Sequence, residues 1–331
     1  MQKLLNDPRT FAAEVVDAVA LAYPDRLRRL PDGLGLVAAG AREGKVAIVT
    51  GGGSGHLPLF LGYVGEGLLD GVAVGDVFAS PSAALIADVA REVDAGAGVL
   101  FLYGNYGGDV MNFDLAGELL AAEGIKTATV RGTDDVASAA AERKSARRGI
   151  AGLSLLFKVA GACAAGGADL DQVVAVTRAA SSRLASMGVA LSPTILPLRG
   201  EPTFQLPAGQ MEIGMGIHGE PGVAREPLQR AEEVGARLAR EILDDLRPPA
   251  GAEFAVLVNG LGATPREELF LLYASVHRTL AERGHRVWRA YVGEYATSLD
   301  MGGASVSLLQ VDGELKDLLL APSAAPVLQP W

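Results

Sequence analysis

Short runs of apolar residues alternate along the chain with longer stretches of helical periodicity. "KVAIVT" (45–50), "GVAVG" (71–75), "GVLFLYG" (98–104) and "TATV" (127–130) are β-branched or aromatic runs bounded by glycine or polar residues, which predicts buried strands. Between the second and third lies "SAALIADVAREVDAG", predicted as a helix with Ser80 as N-cap and Pro81 in its first turn. Residues 149–187 carry no strand pattern and predict two helices broken at Gly166–Gly167. Four prolines in residues 192–209 mark a connector or edge region. Beyond it, Leu228, Ala231, Leu238, Ile242 and Leu246 set out one face of a helix, and "EFAVLVNG" (253–260) is a buried strand. Thr264, Pro265 and Glu267 have capping-box spacing for a helix running to Gly284, and "HRVWRAYVG" and "GASVSLLQVDGE" add strands. Strands alternating with helices predict α/β architecture with mainly parallel sheets flanked by helices. The length, 331 residues, exceeds one ordinary core. Two α/β domains are expected, 1–188 and 189–331.

Charge narrows the partners. With 29 basic and 39 acidic residues the net charge is −10, and the one basic cluster, "RKSARR" (143–148), is short. Nucleic acid is not expected, because phosphate binding needs a basic footprint. A single cysteine excludes an internal disulfide or a cysteine zinc site; no metal site is expected. Residues 46–65 carry no formal charge over a span long enough to cross a bilayer, but six glycines and Pro58 argue against a membrane segment. Asp7, Arg9 and Glu14 stand where a signal peptide would be apolar. A cytoplasmic location without membrane association is expected.

Three glycine-rich loops adjoin the strand patterns: "TGGGSGH" (50–56), "YGNYGGD" (103–109) and "GMGIHGEPG" (214–222). Each holds an ionisable side chain suited to acid–base or nucleophilic work: His56, Asp109 and His218 in turn. One such loop is commonly a structural turn; three are harder to dismiss. "GMGIHG" matches G-x-G-x-x-G formally, yet Pro221 and Pro227 prevent the helix that such a motif needs to open. No G-x-x-x-x-G-K-[ST] occurs, so no motif in the chain cradles a nucleotide of its own.

"GGGSGH", "GDVFASPS", "NYGGDVMNF" and "MEIGMGIHGEPG", together with "RRGIAG", "SMGVALSP" and "LVNGLGATP", resemble the substrate-binding K subunit of dihydroxyacetone kinases almost end to end. The resemblance implies two α/β domains with the active site between them, and a homodimer. It implies that His218 bonds a ketone carbon as a hemiaminal and that His56 and Asp109 are the acid–base pair. Gly53, Ser54, Gly55, Phe78, Ser80 and Gly104 would border the substrate. An imidazole nucleophile must be neutral, and at an ordinary pKa near 6.5 roughly three-quarters of it is so at pH 7. Capture also fixes a small sugar that offers little contact area. In the family a separate helical L-type subunit or a fused domain carries the nucleotide with magnesium. With the chain ending at residue 331, a separate partner carrying ATP or ADP is expected and no cofactor on this chain. ATP and a phosphotransferase-system protein both remain open as the phosphoryl source.

The chain departs from dihydroxyacetone-specific members at Leu57 and Phe60. It also has Gly104 and Gly107 where they tend to carry lysine and threonine. Loss of a charge and of bulk predicts a larger or branched ketose, such as a tetrulose. The alternative is a non-catalytic ketose-sensing paralogue, against which retention of all three ionisable residues argues. Elsewhere, Asp76 is read as a turn aspartate, His277 as a surface residue and His285 as lying at a helix end.

Overall fold

The computed structural model describes residues 3–40 and 44–327. The chain divides into two compact units, Met1–Arg131 with Ser154–Ala179 and Asp317–Trp331, and Gly132–Leu153 with Ala180–Lys316. This differs from the expected division at 188/189. Residues 132–153 and 180–188 group with the second unit, and 317–331 with the first. Pairing decides it: Ser186 bridges to Asp135, while Ala324 bridges to Glu66.

The first unit contains α1 (Phe11–Ala22), β1 (Leu27–Arg29), β2 (Gly35–Ala38), β3 (Ala47–Ser54), β4 (Gly71–Val77), α2 (Ala83–Val93), β5 (Val99–Gly104), α3 (Gly107–Ala122), β6 (Thr127–Gly132), α4 (Leu153–Ala165) and α5 (Leu170–Ser182). Its six-stranded sheet has the order β1-β2-β4-β3-β5-β6. β3 lies parallel to both β4 and β5. Ile48 and Val49 are fully buried, as a continuous apolar run predicts for a strand covered on both faces. On α2, Ala83, Ile86, Ala87 and Ala90 are buried at helical spacing, and α3 buries Phe113, Ala116 and Leu120. These residues form one core with Val49, Phe101 and Tyr103 of the sheet. The cap of α2 is Ser82, whose hydroxyl accepts from the Leu85 N–H, rather than Ser80. Pro81 therefore precedes the helix.

The second unit contains β7 (Leu184–Ser192), β8 (Gln210–Ile213), β9 (Ala224–Pro227), α6 (Ala231–Leu246), β10 (Glu253–Gly260), α7 (Arg266–Glu282), β11 (Arg286–Gly293) and β12 (Gly302–Val311); α8 (Gly313–Leu320) runs across the boundary at 316/317. The strand order is β11-β10-β12-β7-β8-β9. Only the β10–β11 pair, joined by α7, is parallel; β10–β12, β12–β7, β7–β8 and β8–β9 are antiparallel. The expectation of mainly parallel sheets therefore holds around β3 and not here. The chain between β8 and β9 is too short for a crossover helix, so those strands turn back on each other. α6 packs through Val234, Leu238 and Ile242 onto Val256 and Leu308 of the sheet. Leu228 precedes the helix and is exposed. Thr264 does not cap α7: its hydroxyl donates to Gly303 O at 2.7 Å and accepts from Gly303 N–H.

Residues 46–65 form β3 and the loop after it, and no helix among the described residues is long and apolar enough to cross a membrane. The cluster at 143–148 is not a basic surface. Arg147 and Arg148 are drawn into ion pairs with Asp245 and Asp135, and Lys144 donates to Ser182 O.

Candidate active site

In the first unit, β3 lies between two parallel neighbours, so the segments leaving β3, β4 and β5 emerge at one edge of the sheet. Open α/β sheets bind ligands at the carboxyl ends of such strands. The first segment carries Gly53, Ser54, Gly55 and His56, the second Phe78 and Ser80, and the third Gly104 followed by Asp109. The first two touch. Phe78 N–H donates to Ser54 O, and the His56 ring stacks on Phe78 with centroids 4.7 Å apart. Phe60 meets His56 edge-on at 6.1 Å. A side chain on Gly53 has no room, because its Cβ would lie 2.7 Å from Phe78 Cα and Ala79 N. That glycine allows strand and loop to touch backbone to backbone. Ser54 and His56 are both buried.

Helix geometry explains Asp109. It stands four residues before Phe113 on the stripe that α3 turns to the core, which makes it a first-turn acid on a buried face. Asn112 Nδ2 donates to Pro81 O at 2.8 Å, which ties α3 to the segment after β4. Ser80 stands against the same helix, its Oγ 2.6 Å from where a Cβ on Gly108 would be.

In the second unit His218 lies in the loop joining β8 to β9. That loop is held by bonds within itself and to β7 and β8. Gly214 N–H donates to Gly188 O, Gly216 N–H to Glu220 O, and Gly222 N–H to Glu212 Oε1. His218 keeps 23% of its side chain exposed. Its Nδ1 is 2.9 Å from Glu220 Oε1, and its backbone N–H donates to Glu220 Oε2 at 3.0 Å. Burial alone would raise the Glu220 carboxyl, but the bonded His218 ring and Arg148 outweigh it and hold the group at about 2. The ionised Glu220 can only accept a hydrogen bond, so Nδ1–H donates to it, and a neutral ring that donates there carries its lone pair on Nε2.

Arg148 reaches Glu220 Oε2 at 3.9 Å, Asp135 Oδ2 at 2.7 Å and Gly214 O at 3.2 Å. Burial pushes Asp135 up to about 6 against the opposing pull of Arg148. The neighbouring Asp134 is raised by burial as well, although it accepts from the Ile150 and Gly152 N–H groups.

The sequence-derived residues thus fall into two sets. Gly53, Ser54, Gly55, His56, Phe78, Ser80, Gly104 and Asp109 belong to the first unit, and His218 to the second. Glu220 and Arg148 were not anticipated. The signal for Glu220 was an acid two residues beyond His218; Arg148, 72 positions from it by residue number, offered none. The remaining candidates have ordinary surroundings. Asp76 caps its own turn by accepting from Val77 N–H, His277 is exposed beside Tyr273, and His285 meets Phe254 edge-on.

A family model described as the Dak1 domain matches residues 17–327. The chain is 42% identical, over 99% of its length, to the L-erythrulose kinase of Pectobacterium atrosepticum, and spans 56% of that protein. It is 45% identical to the dihydroxyacetone-binding subunit DhaK of the PTS-dependent dihydroxyacetone kinase 2 of Listeria innocua, covering 86% of each. Among solved structures, the dihydroxyacetone kinase operon co-activator DhaQ superposes with a TM-score of 0.89 at 33% identity, covering 94% of this chain and 96% of that one.

Proposed function

The chain belongs to the Dak1-domain family, and from that premise we propose that it captures a short-chain ketose on His218 and presents the sugar's terminal hydroxyl for phosphorylation. The observation that carries the reading is the bond between His218 Nδ1 and an ionised Glu220, which directs the lone pair to Nε2. Nε2 adds to the ketone carbon and the carbonyl π pair moves to oxygen, which takes a proton. Nδ1 keeps its proton on the Glu220 carboxylate, so the hemiaminal forms as an imidazolium whose charge Glu220 balances. His56 and Asp109 serve as the acid–base pair, one protonating the carbonyl oxygen and one receiving the hydroxyl proton during transfer. Ser54, Phe78, Ser80 and the backbone of Gly53, Gly55 and Gly104 border the sugar. Capture converts encounter with the donor into reaction of a positioned hydroxyl, where orientation lowers a barrier by about 7–11 kcal/mol.

The donor site lies outside this chain in our reading. A separate L-type subunit carries ATP or ADP with magnesium, recharged from ATP or by a phosphotransferase-system protein, and the ketose-binding chain works as a cytoplasmic homodimer. The substrate is a tetrulose or a branched ketose. Small residues at 104 and 107 and the likeness to an erythrulose kinase support that choice.

Intact mass after incubation with C3 to C5 ketoses tests the capture. Wild type is expected to gain the mass of one sugar and His218→Ala none; a gain in the variant would end the reading. With the nucleotide subunit and ATP supplied, erythrulose is expected to be phosphorylated in preference to dihydroxyacetone, and the reverse order would overturn the substrate assignment. The likeness to a co-activator over nearly its whole length favours a second reading, a ketose sensor. Capture without any sugar phosphate, from either phosphoryl source, would establish that one instead.

A further inference from the structure

We propose that Glu220 is the positioning residue for His218, and that Arg148 and the His218 backbone fix the roles of its two oxygens so that the ring proton is kept on Nδ1. The proposal deepens the hemiaminal reading and rests on it for its consequence, although not for its geometry.

Glu220 Oε2 receives the His218 backbone N–H at 3.0 Å and faces Arg148 Nη1 at 3.9 Å. Both are donors that never become acceptors, an amide and a guanidinium. That oxygen is committed. Oε1 then meets Nδ1 at 2.9 Å, and a carboxylate oxygen can only accept, so Nδ1 must carry the proton. Which ring nitrogen is protonated is set by the bond the other atoms impose. Here the imposing group is itself held in place. Arg148 is anchored by Asp135 Oδ2 through Nε at 2.9 Å and Nη2 at 2.7 Å, and Asp135 is almost wholly buried. Gly216 completes the arrangement: a Cβ there would overlap Glu220 Oε2 and lie 2.6 Å from Arg148 Nη1. The glycine-rich loop is shaped around a carboxylate and a guanidinium. Asp135, Arg148, Glu220 and His218 form one chain of contacts within the second unit.

Glu220→Gln is the diagnostic variant because it keeps shape and removes one acceptor. The amide has a single oxygen, which must go to the His218 N–H and the Arg148 side. Its NH₂ is left against Nδ1 and donates to it, and the ring is driven to the tautomer with its proton on Nε2. The equivalent wrong-tautomer change in the Ser-His-Asp triad lowers turnover by about 10,000-fold. Nitrogen-15 NMR of histidine-labelled protein without ketose reads the tautomer directly. Wild type is expected to show the proton on Nδ1, Glu220→Gln on Nε2, and Glu220→Asp on Nδ1 as rescue. Ketose capture followed by intact mass is expected to slow on the order of 1,000-fold in the glutamine variant and within about tenfold in the aspartate variant. A wild-type ring protonated on Nε2 overturns the proposal without any variant having to fold. The same tautomer in wild type and Glu220→Gln, or capture by the glutamine variant at the wild-type rate, overturns it too. If wild type takes up no ketose while the tautomers behave as described, the hemiaminal reading fails and the positioning role stands.

Discussion

Phosphoryl transfer is expected to fall by about 100- to 10,000-fold when Asp109 is replaced by asparagine, the range typical of a lost general base, while His218 still captures the ketose. The separation of the two effects follows from where Asp109 stands. It is 6% exposed, on the core stripe of α3, in the first turn of a 16-residue helix. Asparagine keeps its volume and its place. The substitution also removes a first-turn charge, an effect of up to about 2 kcal/mol in a buried setting. Capture depends on the lone pair of His218, which Glu220 sets within the second unit. The turnover number with nucleotide subunit and ATP supplied, alongside intact mass with ketose alone, checks both halves. Turnover within threefold of wild type would remove Asp109 from the chemistry; loss of the sugar adduct would make it the acid of the capture step and His56 the base of transfer.

Arg147→Met is expected to destabilise the second unit by about 3–5 kcal/mol, the cost of breaking a buried ion pair by removing one partner. Arg147 is 1% exposed and forks onto Asp245 at 2.6 and 2.8 Å, with Nε donating to Ala139 O. Methionine fills much of the space but leaves the α6 carboxylate and a carbonyl without their donor. The bond from Arg147 holds Asp245 below the usual carboxylate range, burial opposing it. A depressed carboxylate stabilises the fold above its unfolded pKa and ceases to do so as pH falls through its folded value. The difference between variant and wild type is thus full at pH 7 and closes below about pH 3.9. Urea unfolding at a series of pH values measures it. A difference under about 1 kcal/mol at neutral pH, or one that widens in acid, would contradict the account.

Much of the first unit was legible because its strands are uniformly apolar and its helices strongly periodic. "KVAIVT", "GVAVG" and "GVLFLYG" became β3, β4 and β5, and the break at Gly166–Gly167 separates α4 from α5 as expected. The second unit was less so. β7 is built of Leu, Ala, Ser, Met, Gly and Val, a small-residue run with weak β signal, and its strand character comes from pairing with β12. β8 and β9, four residues each, are strands only because β8 pairs with β7 and β9 with β8. Ser80 and Thr264 both had cap spacing, but tertiary contacts to α3 and Gly303 use them differently. In the site, three glycine loops pointed to His56, Asp109 and His218. The partners of His218 were not legible in the same way, since Arg148 meets Glu220 only through the fold. Beside His218, Gly216 makes room for the protein's own charges, Glu220 and Arg148.

Arg147 and Arg148 are consecutive, and the extended backbone at Arg147 sends their side chains opposite ways. One grips Asp245 at the end of α6; the next steadies the carboxylate behind His218. A shared dipeptide makes the two anchorages mechanically inseparable. Loosening of the last turn of α6, by heat or by a distant core substitution, would be transmitted to the imidazole as lost orientation before the unit melts, so thermal inactivation should run ahead of thermal unfolding.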